Sequence, residues 1–329
     1  WNGQIYTSSV IDSAVFTNTT GCDSTAVLNL TINNCIVLGC TDSLANNYNP
    51  YATIDDSTCL YSPFVFGCTD STALNYNPLA TVDDSSCCSN TSALWTQIGL
   101  DIDGEAAGDF SGFGLSFSSD GNTVAIGAHN NDGNGIDAGH VRIYENIGGS
   151  WSQIGQDIEG EVADDQSGHS VSLSSDGNIL AIGAHYNDGN GANSGHVRIY
   201  ENIGGSWSQI GQDIEGEVAD DQSGHSVSLS SDGNILAIGA HYNDGNGANS
   251  GHVRIYENIG GNWTQIGQDI DGEAAGDWSG YQVSLSSDGN TVAIGAFYND
   301  NSNGSNSGHV RIYENIGGTW SQIGQDIDG

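Results

Sequence analysis

Through residues 151–206, short apolar runs alternate with stretches of Gly, Asn and Asp. Apolar and polar positions alternate in VSLS (171–174), which ends at Ser175-Asp176-Gly177-Asn178. Asp-Gly between apolar runs signals a hairpin, because glycine accepts positive φ. ILAIGA (179–184) is continuously apolar, as a strand buried on both faces would be. The polar, Gly-rich stretch 185–195 predicts a loop. HVRIYE (196–201) alternates again, with Val197, Ile199 and Glu201 on one face and Arg198 and Tyr200 on the other. Asn202-Ile203-Gly204-Gly205 then turns the chain into WSQIGQDI, the fourth predicted strand. No stretch carries a 3.6-residue apolar stripe.

This unit is repeated. Residues 207–262 copy 151–206 with one change, Ser206 to Asn262, and looser copies start at Trp95 and Trp263. A fifth begins at Trp320 and stops at Gly329. The tryptophans Trp95, Trp151, Trp207, Trp263 and Trp320 mark a constant interval, lengthened by a single position in the last step. A fixed period of this size means stacked or radially arranged units. Four antiparallel strands per unit predict an all-β fold, a β-propeller of four-stranded blades over 89–329, with a β-solenoid as the rival.

The order SGFGLSFSSDGNTVAIGA…AGHVRIYEN (111–146) resembles the FG-GAP repeat of integrin-α-type propellers. Phe113-Gly114 stand where that family has its Phe-Gly; later copies have His169-Ser170, His225-Ser226 and Tyr281-Gln282. Gly127-Ala128 and Gly183-Ala184 keep its Gly-Ala, without the proline that follows in the family. The family's calcium loop, a DxDxDG-like hairpin between the first two strands, is absent, since SSDGN is too short to wrap an ion.

Residues 1–34 read as several alternating strands, with Leu28, Leu30 and Ile32 on one face of VLNLTI. They resemble the end of a small β-sandwich module found in large surface proteins of Bacteroidetes, where the cysteine equivalent to Cys22 pairs with one upstream. Residues 35–88 hold a shorter repeat, GCTDSLANNYNPYATIDDSTC from Gly39 and GCTDSTALNYNPLATVDDSSC from Gly67. So few apolar residues cannot form a core unaided, and disulfides Cys40–Cys59 and Cys68–Cys87 are predicted. No Cys-x-x-Cys points to zinc. The partners of Cys22, Cys35 and Cys88 stay open. Disulfides place such a chain outside the cytoplasm. These modules also resemble ones found beside FG-GAP-like repeats in secreted Bacteroidetes proteins, which implies export by the type IX route. Ser13, Ser24, Ser43, Ser57 and Ser71 resemble that phylum's Asp-Ser/Thr O-glycosylation signal; ordinary turn chemistry is the alternative.

Charge narrows the partners. There are 41 acidic residues against four arginines, Arg142, Arg198, Arg254 and Arg311, for a formal charge of −37. This disfavours nucleic acid and anionic membranes and favours divalent cations. No apolar run is long enough to suggest a membrane span. The absence of methionine, the start at Trp1 and the end inside a repeat suggest a segment of a longer, processed protein.

Acidic clusters are the candidate ion sites: Asp101, Asp103, Glu105, Asp109; Asp157, Glu159, Glu161, Asp165; Asp213, Glu215, Glu217, Asp221; and Asp269, Asp271, Glu273, Asp277. Carboxylates alternating about a glycine can supply several of calcium's six to eight oxygens, so Ca2+ is the expected ion. NDGNG (187–191) reads better as a turn. His169 is replaced by Phe113 and Tyr281, and His185 by Phe297, which argues for packing rather than metal binding. Near-identical blades lack the asymmetry of a catalytic site. The expectation is a non-catalytic segment of an extracellular or cell-surface adhesin or filament protein, with surface glycans, proteins or further copies of itself as partners. A calcium-assisted, lectin-like propeller presenting Tyr186, Tyr242 and Tyr298 is the alternative.

Overall fold

The computed structural model describes the chain except for residues 1–4, 6–7, 18, 22, 32–35, 62–64, 74 and 89–95. Cys22, Cys35, Ile32 and the first repeat tryptophan, Trp95, therefore lie outside the described residues. Two compact units divide the chain, Trp1–Trp95 and Thr96–Gly329.

In the first unit, strands Val10–Thr17 and Asp23–Leu30 pair antiparallel, Val10 opposite Leu30 and Thr17 opposite Asp23. Leu28 and Leu30 are half-buried and Asn29 is exposed, as the alternation requires. The two short modules that follow contain disulfides. Cys40 bonds Cys59 and Cys68 bonds Cys87, with Cα atoms 4.8 and 4.6 Å apart. Each is also clipped by a short parallel pairing, Leu38–Gly39 beside Ile54–Asp55 in the first and Phe66 beside Val82 in the second. Cys88 is an exposed free thiol.

The second unit is four repeated sheets, the blades of a propeller-type array. In blade two the order is Ser170–Leu173, Ile179–Ala184, His196–Ile203 and Ser206–Gln209, all antiparallel. The predicted single strand WSQIGQDI is in fact two. Gly211, at φ +74°, breaks it, and Ile214–Glu215 turns back to pair with the other end of the third strand, Val197 opposite Ile214. The third strand is eight residues long, enough to carry both partners end to end.

Apolar packing lies between blades. Val141 and Ile143 of blade one meet Val171, Leu173, Leu180 and Ile182 of blade two in one cluster, and the same grouping repeats at the next two junctions. Serines on the innermost strands join neighbouring blades: Ser116, Ser172 and Ser228 accept the amides of Leu173, Leu229 and Leu285. Trp207 Nε1 donates to the Ile154 carbonyl and Trp320 Nε1 to that of Ile266, each in the preceding blade, and Trp151 Nε1 donates to the Ile98 carbonyl ahead of blade one. Glycine permits the closest approach: a Cβ on Gly127 or Gly183 would stand 1.9 or 2.0 Å from the carbonyl oxygen of Gly168 or Gly224 in the next blade.

Both ends of the array are open. Phe113 and Leu115 of blade one are 59 and 58% exposed, whereas the equivalent of Leu115 in blade two, Val171, is 9% exposed. Phe297 of blade four is 55% exposed, where the equivalent His185 and His241 are buried.

Candidate functional site

Each blade places one histidine at the start of its third strand: His140, His196, His252 and His309. Pairing of that strand with the short returning strand brings the connector to the next blade across its end. In DIEGE (157–161), Asp157 faces His140 of blade one, and Glu161, at the far end of the same run, faces His196 of blade two. One connector therefore serves two successive sites.

Among the described residues four clusters result: Glu105–His140–Asp157, Glu161–His196–Asp213, Glu217–His252–Asp269 and Glu273–His309–Asp326. Their ligand-capable atoms lie within 4.8 Å of one another. His140 Nδ1 is 3.8 Å from Glu105 Oε2 and from Asp157 Oδ2; at His196 both distances are 3.9 Å. All four histidines are buried. Nδ1 of His140 and of His196 has no hydrogen-bond partner. The aspartates are held from behind: Gln153, Gln209, Gln265 and Gln322 donate Nε2 to Oδ1 of Asp157, Asp213, Asp269 and Asp326, leaving Oδ2 of Asp157, Asp213 and Asp269 toward the imidazole. Burial, reinforced by Arg198, pushes His196 down to about 4 against the opposing pull of Asp213. His252 is likewise lowered to about 4, by burial and Arg254. These imidazoles are neutral at physiological pH.

The four buried arginines are structural. Nη2 of Arg142, Arg198, Arg254 and Arg311 donates to the backbone carbonyl of Asp103, Glu159, Glu215 and Asp271 in the incoming connector, at 2.6–2.7 Å. Each Nη1 lies 3.8–3.9 Å from the cluster glutamate. One cation per repeat is what each blade needs to dock its connector.

The four-carboxylate sets read from the sequence are thus divided. Asp157, Asp213 and Asp269 join the histidine of the blade just ended, and Glu105, Glu161, Glu217 and Glu273 that of the blade about to begin. Glu159, Glu215 and Asp271 sit in the short returning strands, where burial raises their pKa values. Asp103 occupies the corresponding place ahead of blade one, its carbonyl held by Arg142, while Asp101 Oδ1 accepts from Gln97. Asp109, Asp165, Asp221 and Asp277 are buried turn formers, each taking the side-chain amide of Asn131, Asn187, Asn243 or Asn299 and a backbone amide from just upstream. Burial raises Asp165 and Asp221 despite these bonds. NDGNG is a turn, with Asn187 Oδ1 accepting from the Gly189 amide. At the first hairpin, where the family's calcium loop is absent, Asp176 accepts from Ser174 Oγ and from the Asn178 amide and side chain, which occupies both oxygens.

The variation of His169 and His185 between repeats says nothing of His196, which has an equivalent in every copy. That period is the signal in the sequence that marks the histidine clusters. His169 and His185 do pack, with ring centroids 4.1 Å apart. They belong to a ladder of rings along one side of the array that ends in Tyr242, Trp278 and Tyr298; Trp278 stands edge-on to Tyr298 at 4.4 Å. Tyr186 and Tyr242 are half-buried against His185 and His241. Of the candidate glycosylation serines, Ser13 and Ser24 lie on the paired strands, whereas Ser43, Ser57 and Ser71 lie in Asp-initiated turns.

Residues 160–200, 216–256 and 270–313 match the FG-GAP repeat. No curated protein matches the chain. Solved structures with a similar fold include the periplasmic gluconolactonase PpgL of Pseudomonas aeruginosa, at 21% identity over 65% of this chain and 56% of that one, TM-score 0.46. Another, from Bacteroides uniformis ATCC 8492, is provisionally described as a 6-phosphogluconolactonase (16% identity, 65% and 54% covered, TM-score 0.43). A third, from Agrobacterium tumefaciens, is provisionally described as TolB (12%, 64% and 61%, 0.39). The chain spans between half and two thirds of the length of these structures. Because two of them are described as lactonases, enzymes on a propeller-type fold, the expectation that this chain is not an enzyme is withdrawn. Identities this low speak to the fold alone. Three stretches of the chain thus match the FG-GAP repeat, on an all-β array of four propeller-type blades.

Proposed function

We propose that the chain is a multivalent adhesive segment of an extracellular protein displayed at a cell surface. FG-GAP repeats and two disulfides fit an extracellular protein, and no described helix is long and apolar enough to cross a membrane. The observation that carries the reading is repetition of the surface itself: blades two and three are near-identical in sequence and have the same strand register and loop hydrogen bonds. Equivalent sites at fixed spacing raise avidity without any new contact. Type IX export and O-glycosylation of the first unit accompany this proposal.

A second reading, glycan recognition, is favoured by Tyr242, Trp278 and Tyr298, an aromatic group at the junction of blades three and four. Labelled chain on a glycan array tests both. The natural comparison is a variant lacking residues 207–262, one nearly exact repeat. Avidity falling at least about tenfold with the lost blade supports multivalent adhesion. Binding abolished by Trp278→Ala but indifferent to the deletion places recognition at the single aromatic group. Absence of binding on glycan-coated and protein-coated surfaces alike defeats both readings.

A further inference from the structure

We propose that each Glu–His–Asp cluster is a binding site for a divalent transition metal of the zinc class, four per chain, and that the ions staple successive connectors to their blades.

The geometry at His140 and His196 leaves a gap that protons do not fill. At 3.8–3.9 Å, Nδ1 is too far from either carboxylate for a hydrogen bond. With the ring proton on Nε2, the Nδ1 lone pair meets two carboxylates and three electron-rich atoms converge with nothing between them. Moving the proton to Nδ1 still gives no bond at that distance. A buried polar atom in this state is costly, and two blades repeat it with the same spacing. Donors bound to one ion at about 2.0–2.2 Å lie roughly 3 to 4.4 Å apart, a range that holds the 3.8–3.9 Å from Nδ1 of His140 and His196 to each carboxylate. Two carboxylates balance the charge of a divalent cation.

The donor set selects among ions. Calcium takes six to eight oxygens, whereas each cluster offers one imidazole nitrogen and two carboxylates, a three-residue set of the kind zinc accepts. Imidazole suits zinc and its first-row neighbours. The parts are also pre-positioned: glutamine holds the aspartate, arginine faces the far oxygen of the glutamate, and the imidazole is locked inside a strand. Such supporting contacts fix ligand orientation at metal centres.

Full-length chain, stripped with chelator, would be dialysed against ZnCl2 or CaCl2 and its bound metal counted. Four zinc ions per chain are expected, falling to three in His196→Asn, with affinity at that site down by more than about 100-fold. Asp213→Asn and Glu161→Gln, at more exposed positions, give the same loss should the histidine variant fail to fold. Co2+ in place of zinc should show visible d–d bands without a thiolate charge-transfer band. Zinc content unchanged in all three variants, calcium retained in preference to zinc, or a cobalt–thiolate band placing the ion on a cysteine would each overturn the proposal.

Discussion

Gly183 and the carbonyl of Gly224 lie so close across the junction of blades two and three that a Cβ at Gly183 would be 2.0 Å from the oxygen. Both partners are backbone, so no side chain can yield. Gly183→Ala should destabilise the second unit by about 1–3 kcal/mol, as overpacking of a tight interface does. Gly295, the equivalent position in blade four, would meet nothing closer than 3.7 Å. Gly295→Ala should stay within about 0.5 kcal/mol of the parent. Urea unfolding of both variants checks this, and equal effects would argue against an open end at blade four.

Arg198 is the fastening of blade two to its incoming connector, through the Glu159 carbonyl and Ser167 Oγ. Arg198→Met keeps much of the side-chain volume and removes both bonds. A loss of about 1.5–3 kcal/mol in urea unfolding is expected. Arg198→Lys should restore only part of it, because an ammonium has no second planar arm to reach toward Glu161.

Acid should weaken the fold through its buried histidines. Burial and neighbouring imidazoles lower His169 and His241 to about 3 and hold His185 down as well, and burial lowers His225. These groups are neutral when folded and protonate near 6.5 when unfolded. Their stabilisation is complete above pH 6.5 and is lost as pH falls from there toward about 3. At pH 5 the loss is on the order of 2 kcal/mol for each of His169 and His241. Asp165, Asp221, Glu161 and Glu217, raised by burial, act in the opposite sense. Thermal unfolding in chelator from pH 7.5 to 5 should show a falling midpoint, and His169→Phe, matching Phe113 of blade one, should flatten the slope.

Reducing conditions should separate the two units. Cys59→Ser removes a bond closing a loop of 19 residues, worth roughly 3 kcal/mol on the chain-entropy account. The first module should lose protease resistance, while the melting of Thr96–Gly329, with its own blade-to-blade cores, stays unchanged.

The strands were legible because their side chains obey local rules. ILAIGA is the strand Ile179–Ala184 because a strand buried on both faces shows a continuous apolar run. The break at Gly211 was not legible, because WSQIGQDI alternates well enough to pass as one strand. What splits it is a distant partner, the far end of His196–Ile203. The ion clusters are hidden for a related reason. Asp157 and Glu161 look like neighbours in one acidic run, yet the connector between them crosses from one blade to the next and sends them to different histidines. Spatial grouping follows the period of the repeat, whereas the acidic run shows only the spacing within it.

The apolar cluster between blades recurs at three successive junctions. Residues 151–206 and 207–262 differ at one position, so the two repeats are almost interchangeable as protein sequence. Removing residues 207–262 leaves blade two facing blade four across a junction of nearly the same sequence as the one lost. Loss or gain of one such repeat changes the valency of the segment while the recurring apolar cluster between blades is kept.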